Sequence, residues 1–249
     1  MTTLSSEETI RYHRQLILPE IGTEGQKKLK QARVFIAGVG GLGSVSAYYM
    51  AAAGIGSLRM ADMDCVEAGN LNRQILHGTG DIGRPKTQSA LEKLRNLNPH
   101  CYIEPIQGII QEGNILDWVE DCAVILDATD NLEARKVLNR ASRLKNIPLI
   151  YGGVNGFTGM VTTLIPGQTP CMECLFPQEA RQTESPIGIV GPIPGVIASI
   201  QSLEAIKLIL GMNGLLKNKL IYFDGMDMTF RKIEMEKNPD CKVCGNDSA

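Results

Sequence analysis

The stretch that decides the fold reads Arg33-Val-Phe-Ile-Ala-Gly38-Val-Gly40-Gly41-Leu-Gly43. Its first half is a short apolar run typical of a buried strand. Its second half matches G-x-G-x-x-G immediately before a small-residue helix at 44–53. Glycines at such a turn let the backbone approach a phosphate, and the free N–H groups at the helix start attract its charge. The stretch therefore predicts a strand, loop and helix that bind a nucleotide.

Short apolar runs alternate with helical stretches beyond this unit. The later predicted strands lie at 57–62, 101–107, 122–127 and 148–153, and the helices between them at 86–97 and 131–145. Near-continuous apolar strands separated by helices indicate a parallel sheet covered on both faces.

The sequence pattern changes after Gly153, where an alternating, Thr-rich run at 157–166 predicts a half-exposed antiparallel strand. The other predicted elements are a loop at 177–194, a helix at 195–210, a hairpin of 219–223 with 228–236, and an N-terminal helix at 5–17 with a Ser/Glu cap. The fold class is therefore α/β: a Rossmann-like doubly wound sheet, parallel at first and antiparallel in its C-terminal part.

Composition and charge exclude several classes of protein. The 249 residues are 43% hydrophobic and 21% charged, as in an ordinary folded protein. A formal net charge of −2 gives no bulk field for nucleic acid or an anionic membrane. Residues 1–8 have neither a basic region nor an apolar run, and the uncharged run at 185–203 is interrupted by proline and glycine. We expect a cytoplasmic protein with no signal peptide and no membrane span.

Asp62 ends the second predicted strand, where a carboxylate can bind the ribose hydroxyls of a nucleotide. The pattern does not identify the nucleotide. On these residues alone the first hypothesis is an NAD(P)-dependent oxidoreductase, and the plainer alternative is that the glycines only allow a tight turn.

Charged and amide side chains follow Asp62 at positions that a dinucleotide site would not need: Asp64, Asn70, Arg73, Gln74 and Lys86. An anionic nucleophile approaching a triphosphate meets a repulsion of about 4 kcal/mol per charge pair at 4 Å and intermediate dielectric, so such a site needs several cations. Asp130 follows the fourth strand, at the sheet edge where ligands bind, and suits Mg²⁺. The alternatives are surface charges for Arg73 and Lys86 and a helix N-cap for Asp130.

Two C-x-x-C pairs offer four thiolates, from Cys171, Cys174, Cys241 and Cys244. Two such pairs suit a tetrahedral Zn²⁺ with every position filled, which predicts a structural zinc site. An iron–sulfur cluster, a redox dithiol or two unconnected pairs are the alternatives. The remaining cysteines lie on or near predicted strands and are expected to be packed thiols: Cys65, Cys101 and Cys122.

In combination, these motifs resemble those of the MoeB/ThiF/HesA family, bacterial and archaeal relatives of ubiquitin-activating enzymes. The likeness spans about 5–245 and is carried by Arg11-Tyr-His-Arg14, the glycine loop, Asp62-x-Asp64, Asn70-Leu-x-Arg73-Gln74, Gly83-x-Pro-Lys86, Asp127-Ala-Thr-Asp130-Asn131 and both cysteine pairs. The resemblance implies a zinc-bearing homodimer. It would use ATP and Mg²⁺ to adenylylate the C-terminal Gly-Gly carboxylate of a small ubiquitin-like sulfur carrier protein.

The resemblance also implies a division of labour within one domain, 1–249. An N-terminal helical segment (about 1–30) would precede a nucleotide-binding part (31–154) and a carrier-binding and zinc part (155–249). A sulfurtransferase or cysteine desulfurase would be a further partner, and the pathway would be molybdopterin, thiamine or related biosynthesis.

Individual roles follow from the resemblance, residue by residue. Gly41 and its neighbours would line the phosphates and Asp62 would hold the ribose. Asn70, Arg73 and Lys86 would face the triphosphate.

Two further roles concern the metal and the dimer. Asp130 would bind Mg²⁺. Arg14 would reach across the dimer into the other subunit's site as an arginine finger, the plainer alternative being an exposed cation on the first helix.

The sequence departs from many relatives at 177–194, which contains no cysteine. Relatives such as thiamine-pathway enzymes carry a cysteine there that forms a thioester or acyl-disulfide with the carrier, whereas this chain has Thr183-Glu184-Ser185. We therefore expect the protein to stop at adenylylation.

A non-catalytic nucleotide-binding scaffold is a third hypothesis. We place the carrier's docking face at 154–163 and the C-terminal hairpin.

Overall fold

The computed structural model describes residues 2–176 and 188–245, and its eight strands form one mixed sheet in the order β3-β2-β1-β4-β5-β6-β7-β8. The strands are β1 (Arg33–Ala37), β2 (Ser57–Asp62), β3 (Tyr102–Gln107), β4 (Val124–Asp127), β5 (Leu149–Asn155), β6 (Thr158–Leu164), β7 (Lys219–Asp224) and β8 (Thr229–Glu234). β1 to β5 pair in parallel, and β6, β7 and β8 pair antiparallel. The predicted fold class is confirmed.

Helices cover both faces of this sheet. They are α1 (Ser6–Arg11), α2 (His13–Leu16), α3 (Gly22–Gln31), α4 (Gly41–Ala53), α5 (Lys86–Leu97), α6 (Ile115–Trp118), α7 (Leu132–Lys145), α8 (Met172–Leu175) and α9 (Pro192–Leu210). β1 shows the two faces by its alternation: Val34 and Ile36 join the core under α4, α5 and α9, whereas Phe35 and Ala37 join the core under α6 and α7. The strand is apolar throughout because neither face meets water.

The N-terminal prediction of one continuous helix is wrong, although its cap is confirmed. Ser5 Oγ accepts the Glu8 N–H in a capping box. The helix is then divided at Tyr12, whose side chain is buried and whose hydroxyl accepts a hydrogen bond from Asn98 Nδ2 at 2.8 Å. Burial of this ring against a distant segment fixes the break between α1 and α2.

The predicted loop at 177–194 is too long at its C-terminal end, because α9 already begins at Pro192. Proline is favoured in the first helical turn, where its fixed φ suits the helix and its missing N–H costs nothing. Residues 177–187 of this prediction, with Thr183-Glu184-Ser185, lie outside the described residues. α9 is long and apolar enough to span a membrane. Half of its most apolar 18-residue stretch, however, is buried inside the protein.

The prediction that the run at 157–166 is half-exposed is also wrong. Thr162 and Thr163 are fully buried on opposite faces of β6. The Thr162 hydroxyl donates to the Lys219 carbonyl at 2.9 Å and the Thr163 hydroxyl donates to Glu204 at 2.7 Å. Threonine was therefore a misleading sign of exposure, since buried hydroxyls are tolerated when they are hydrogen-bonded.

Candidate functional site

The site lies where the strand order of the sheet reverses, beside β1. From β1 the chain runs outward through β2 and β3, then returns to β4 on the other side of β1. Open α/β sheets bind ligands at this switch point, beyond the carboxyl ends of the strands. A cleft of about 990 Å³ lies there. Its walls include nine of the predicted site residues: Gly38, Gly40, Gly41, Asp62, Asp64, Arg73, Gln74, Lys86 and Asp130.

The glycine loop joins β1 to α4 along a path that requires glycine at two positions. Gly38 has φ +89°, and a Cβ there would lie 2.8 Å from the Ala128 carbonyl oxygen. Gly43 lies behind the cleft wall in the first turn of α4, where a Cβ would overlap the Gly38 carbonyl oxygen. No side chain in the described part of the chain caps α4 at Gly40, so its first N–H groups remain available to a phosphate.

Gly43→Ala is expected to destabilise the protein by about 1–3 kcal/mol and to abolish nucleotide binding, because the added methyl must push the glycine loop away from α4. Thermal unfolding and ATP titration measure the two effects. Gly113→Ala is the matched control, since a Cβ there meets no atom within 4 Å and the backbone is not in the left-handed region. Wild-type binding by Gly43→Ala would contradict this account of the loop.

Asp62 both faces the cleft and fixes the glycine loop. Its Oδ2 accepts the Val39 N–H at 2.7 Å, and its Oδ1 accepts the Asp64 N–H at 2.8 Å. A carboxylate has about four acceptor positions, so this side chain can still accept hydrogen bonds from ribose hydroxyls.

Lys86 is the buried cation of the cleft. It is 5% exposed at the start of α5, and its Nζ donates to Asp64 Oδ2 at 2.7 Å. The Asp64 side chain is 55% exposed, so the ion pair lies at the cleft surface. An ammonium has three donors, and the ion pair uses one of them. Lys86 can therefore bind a phosphate without losing Asp64.

The segment after β2 brings Arg73, Gln74 and Asn70 together. The Arg73 guanidinium donates to the Gly69 carbonyl at 3.0 Å and to Asn72 Oδ1 at 3.1 Å, both neutral oxygens, so its charge is available to an anion. Gln74 is buried beside Gly40. Asn70 does not line the cleft; its Oδ1 accepts the Glu67 N–H at 3.1 Å and shapes the turn that carries Arg73.

The two acids after β4 have different environments. Asp127 is fully buried, and its Oδ1 accepts from the Thr129 N–H and hydroxyl. Burial raises the pKa of Asp127. Asp130 is exposed in the cleft, while Asn131 caps α7 by accepting the Ala134 N–H at 2.8 Å. The alternative N-cap role for Asp130 is wrong. Within residues 2–176 and 188–245 no hydrogen bond or ion pair engages its carboxylate, which can bind a cation such as Mg²⁺.

Arg135 also lines the cleft, although the sequence patterns do not single it out. Its Nη2 donates to the Thr129 carbonyl at 2.7 Å, and its Nε lies 3.6 Å from Asp127 Oδ2. Its Cζ lies 5.1 Å from the centre of the Tyr151 ring. Its position near the start of α7 was an available sign of a special role. A cation near a helix N-terminus is electrostatically unfavourable unless it has an anionic partner.

Arg14 does not contribute to the cleft of its own chain. It is exposed on α2 and is absent from the cleft walls. Large apolar side chains next to it are also exposed: Ile10 by 78%, Ile17 by 55% and Leu18 by 46%. A cation within an exposed apolar patch suits a surface that another protein covers.

The four cysteines of the two C-x-x-C pairs come together in one cluster, with their Sγ atoms within 4.8 Å of one another. Cys171 and Cys241 are separated by 3.7 Å between Sγ atoms, and Cys174 and Cys244 by 3.3 Å. Zn–S bonds of ~2.3 Å in a tetrahedron place sulfurs roughly 3.8 Å apart, so the cluster fits zinc. It would attach the C-terminal residues to α8. Two unconnected pairs are excluded.

Removing zinc is expected to lower the melting temperature and release the C-terminal segment, at a cost of several kcal/mol, because structural zinc sites contribute binding energy to folding. Metal analysis should find about one zinc per chain. Cys244→Ser should reproduce the effect of a chelator, while Cys65→Ser, outside the cluster and exposed, should not. Equal stability of metal-free and metal-loaded protein would contradict a structural zinc site.

The other cysteines agree only in part with the prediction of packed thiols. Cys101 and Cys122 are buried, and burial raises their pKa values to about 12 and about 11. Cys65 is exposed, so the prediction is wrong there. It follows the end of β2 and pairs with Pro85 in an isolated bridge rather than in the sheet interior.

Comparison with known proteins identifies the family. The ThiF family pattern matches residues 12–243. The chain is 40% identical over 247 residues to the SAMP-activating enzyme E1 of Haloferax volcanii, covering 98% of this chain and 91% of that protein. It is 37% identical over 250 residues to the molybdopterin-synthase adenylyltransferase of Escherichia coli K12, covering 98% of this chain and 100% of that protein. The crystal structure of E. coli MccB with ATP has a TM-score of 0.82 at 25% identity, over 97% of this chain and 75% of that one. The chain therefore belongs to the ThiF family.

Proposed function

We propose that this protein is an adenylyltransferase that uses ATP and Mg²⁺ to activate the C-terminal Gly-Gly carboxylate of a ubiquitin-like sulfur carrier protein. The observation that supports this most directly is the meeting, in one cleft, of a glycine loop, the cations Arg73 and Lys86, and the exposed acid Asp130. The names of the relatives agree, since they include a SAMP-activating enzyme and a molybdopterin-synthase adenylyltransferase.

The reaction needs position and charge rather than a covalent nucleophile. A carboxylate oxygen of the carrier attacks the α-phosphorus of ATP, the bond between that phosphorus and the bridging oxygen breaks, and pyrophosphate leaves with the bond electrons. The product is a carrier acyl-adenylate. Arg73 and Lys86 would offset repulsion between the carboxylate and the triphosphate and stabilise the leaving pyrophosphate.

The remaining cleft residues take supporting roles in this proposal. The glycine loop and the start of α4 would hold phosphate, Asp62 would hold the ribose, and Asp130 would hold Mg²⁺, which neutralises phosphate charge when bound. Arg135 is fixed near Asp130 by the Thr129 carbonyl and adds a cation to the same wall.

We propose the exposed edge of the sheet as the carrier's docking surface. All six residues of β8 are exposed, and the apolar side chains there include Phe230 at 55% and Ile233 at 47%. An unpaired strand edge with apolar side chains can accept a strand of another protein. The docking face expected from the sequence included Thr162 and Thr163. Both are buried, so the proposed docking surface does not include them.

The proposal also covers the oligomeric state of the enzyme, its cellular location and its source of sulfur. The exposed apolar patch around Arg14 supports a homodimer. We propose the division into segments of about 1–30, 31–154 and 155–249, a cytoplasmic location, and sulfur delivery by a separate sulfurtransferase or cysteine desulfurase. Molybdopterin and thiamine biosynthesis are the candidate pathways.

Nucleotide preference tests the proposal against an NAD(P)-dependent oxidoreductase. ATP with Mg²⁺ at 100 times its Kd should stabilise the protein by about 2.7 kcal/mol, seen as a higher melting temperature. NADH and NADPH should leave the melting temperature unchanged. Stabilisation by NADH but not by ATP would favour the oxidoreductase.

The absence of cysteine from 177–194 supports an enzyme that stops at adenylylation. Mass spectrometry of a reaction with carrier and ATP should then find carrier acyl-adenylate but no carrier–enzyme adduct. A covalent adduct that thiols release would contradict this part of the proposal.

A further inference from the structure

His77 lies behind the glycine loop and touches it, yet it is not part of the cleft wall. The side chain is 6% exposed. Its Nε2 lies 3.0 Å from the Val39 carbonyl oxygen, and its Nδ1 lies 2.9 Å from the Ser89 hydroxyl on α5. Because Asp62 accepts the Val39 N–H at 2.7 Å, the peptide groups on both sides of Val39 are fixed by side chains.

These contacts define which nitrogen of His77 carries hydrogen. A carbonyl oxygen only accepts, so Nε2 must donate to Val39. The Ser89 hydroxyl oxygen accepts from Lys93 Nζ at 3.0 Å, which leaves its own hydrogen to donate to Nδ1. Both ring nitrogens are satisfied when the imidazole is neutral and protonated at Nε2.

The charges around His77 favour this neutral form. Burial lowers the pKa of His77, and the nearby cations Lys93 and Lys86 lower it further. The Val39 carbonyl and Asp81 act in the opposite direction, but Asp81 is engaged by Lys93 and by the Gly78 N–H. The imidazole therefore gains a proton at a lower pH than an ordinary histidine does.

We propose that neutral His77 is a positioning residue, which sets the orientation of the glycine-loop amides toward the nucleotide phosphates by donating from Nε2 to the Val39 carbonyl. The proposal rests on the use of ATP by this cleft. His77 also lies on the segment of Arg73, since its N–H donates to the Gln74 carbonyl at 3.0 Å. It thus links a phosphate-facing cation to the glycine loop.

The first test compares variants by pyrophosphate exchange at varied ATP. His77→Gln keeps a donor near the Nε2 position, whereas His77→Asn and His77→Ala do not. We expect His77→Gln to stay within about threefold of wild type, and the other two to lose about ten- to a hundredfold in kcat/KM for ATP, because the buried Val39 carbonyl then keeps only the long hydrogen bond from the Ser44 hydroxyl at 3.5 Å. KM for the carrier should not change. His100→Ala, outside the cleft, is the control.

Two results of this test would overturn the proposal. One is equal loss in His77→Gln and His77→Ala, which would indicate a packing role only. The other is full activity in every variant.

Nitrogen NMR of the wild type keeps the proposal testable where a variant does not fold. The chain has three histidines, His13, His77 and His100. We expect the His77 signals at neutral pH to report a neutral ring protonated at Nε2. A charged ring, or hydrogen on Nδ1, overturns the assignment. Absence of pyrophosphate exchange in the wild-type protein would contradict the proposed use of ATP. The NMR spectrum does not depend on that activity, so it tests the state of His77 separately.

Discussion

Arg14→Ala is expected to lower carrier-dependent pyrophosphate exchange by about 10³-fold or more, although Arg14 lies outside the cleft of its own chain. The reason is that the exposed apolar patch around it would seat against a second subunit and deliver the guanidinium to that subunit's triphosphate. An arginine finger acts only in the transition state, so KM for ATP should change much less than kcat. Steady-state kinetics at varied ATP measures the two separately.

Mixed dimers identify which subunit supplies Arg14. Arg14→Ala and Lys86→Ala should each be inactive alone, yet their mixture should recover about a quarter of wild-type activity, because half of the dimers then hold one complete site. Arg11→Ala is the neighbouring control, since Arg11 donates to the Leu97 carbonyl of its own chain at 2.8 Å. No recovery in dimers proven to exchange subunits would place Arg14 outside the partner's site.

Lys86→Ala is expected to reduce exchange by about 10²–10³-fold, the usual effect of removing one donor that stabilises developing charge. Lys86 is the buried cation of the cleft, so water cannot readily replace its charge. The fold should survive, because the Asp64 partner is 55% exposed and regains solvation. Exchange rates and melting temperature together measure the effect.

The control for Lys86 is a lysine whose ion pair lies outside the cleft and is more exposed. Lys27 donates to Glu24 at 2.7 Å, the same distance as in the Lys86–Asp64 pair, but outside the cleft. Lys27→Ala should retain full activity and nearly full stability, since exposed ion pairs contribute about 0–1 kcal/mol. If Lys86→Ala is as active as Lys27→Ala, the cleft does not use its cations as proposed.

Local sequence patterns predicted the parts of the site that depend on neighbours in the chain. The bounds of β2 and α5 agree with the predicted strand at 57–62 and helix at 86–97. The glycine loop was predictable from its local pattern, and for Gly43 the reason also lies close by, because the Gly38 carbonyl excludes a side chain there. The atom that excludes a side chain at Gly38, the Ala128 carbonyl oxygen, is distant in the chain.

Features that depend on distant contacts were not predictable in this way. The break at Tyr12 depends on Asn98, and the burial of Thr163 depends on Glu204, which only folding brings near. His77 belongs to the same group, because its contact with the Val39 carbonyl joins segments 38 residues apart. Arg135 differs, since its partner Thr129 is 6 residues away and its position near the start of α7 was the available sign of its role.

In the proposed reaction, fixed positive charge in the cleft lets a carrier carboxylate attack ATP and release pyrophosphate. The most direct measurement is the incorporation of labelled pyrophosphate into ATP by the wild-type protein with Mg²⁺ and a sulfur carrier ending in Gly-Gly. We predict rapid incorporation that requires the carrier and disappears when its last glycine is removed. Incorporation that is absent with the carrier, or equally fast without it, would contradict the claim.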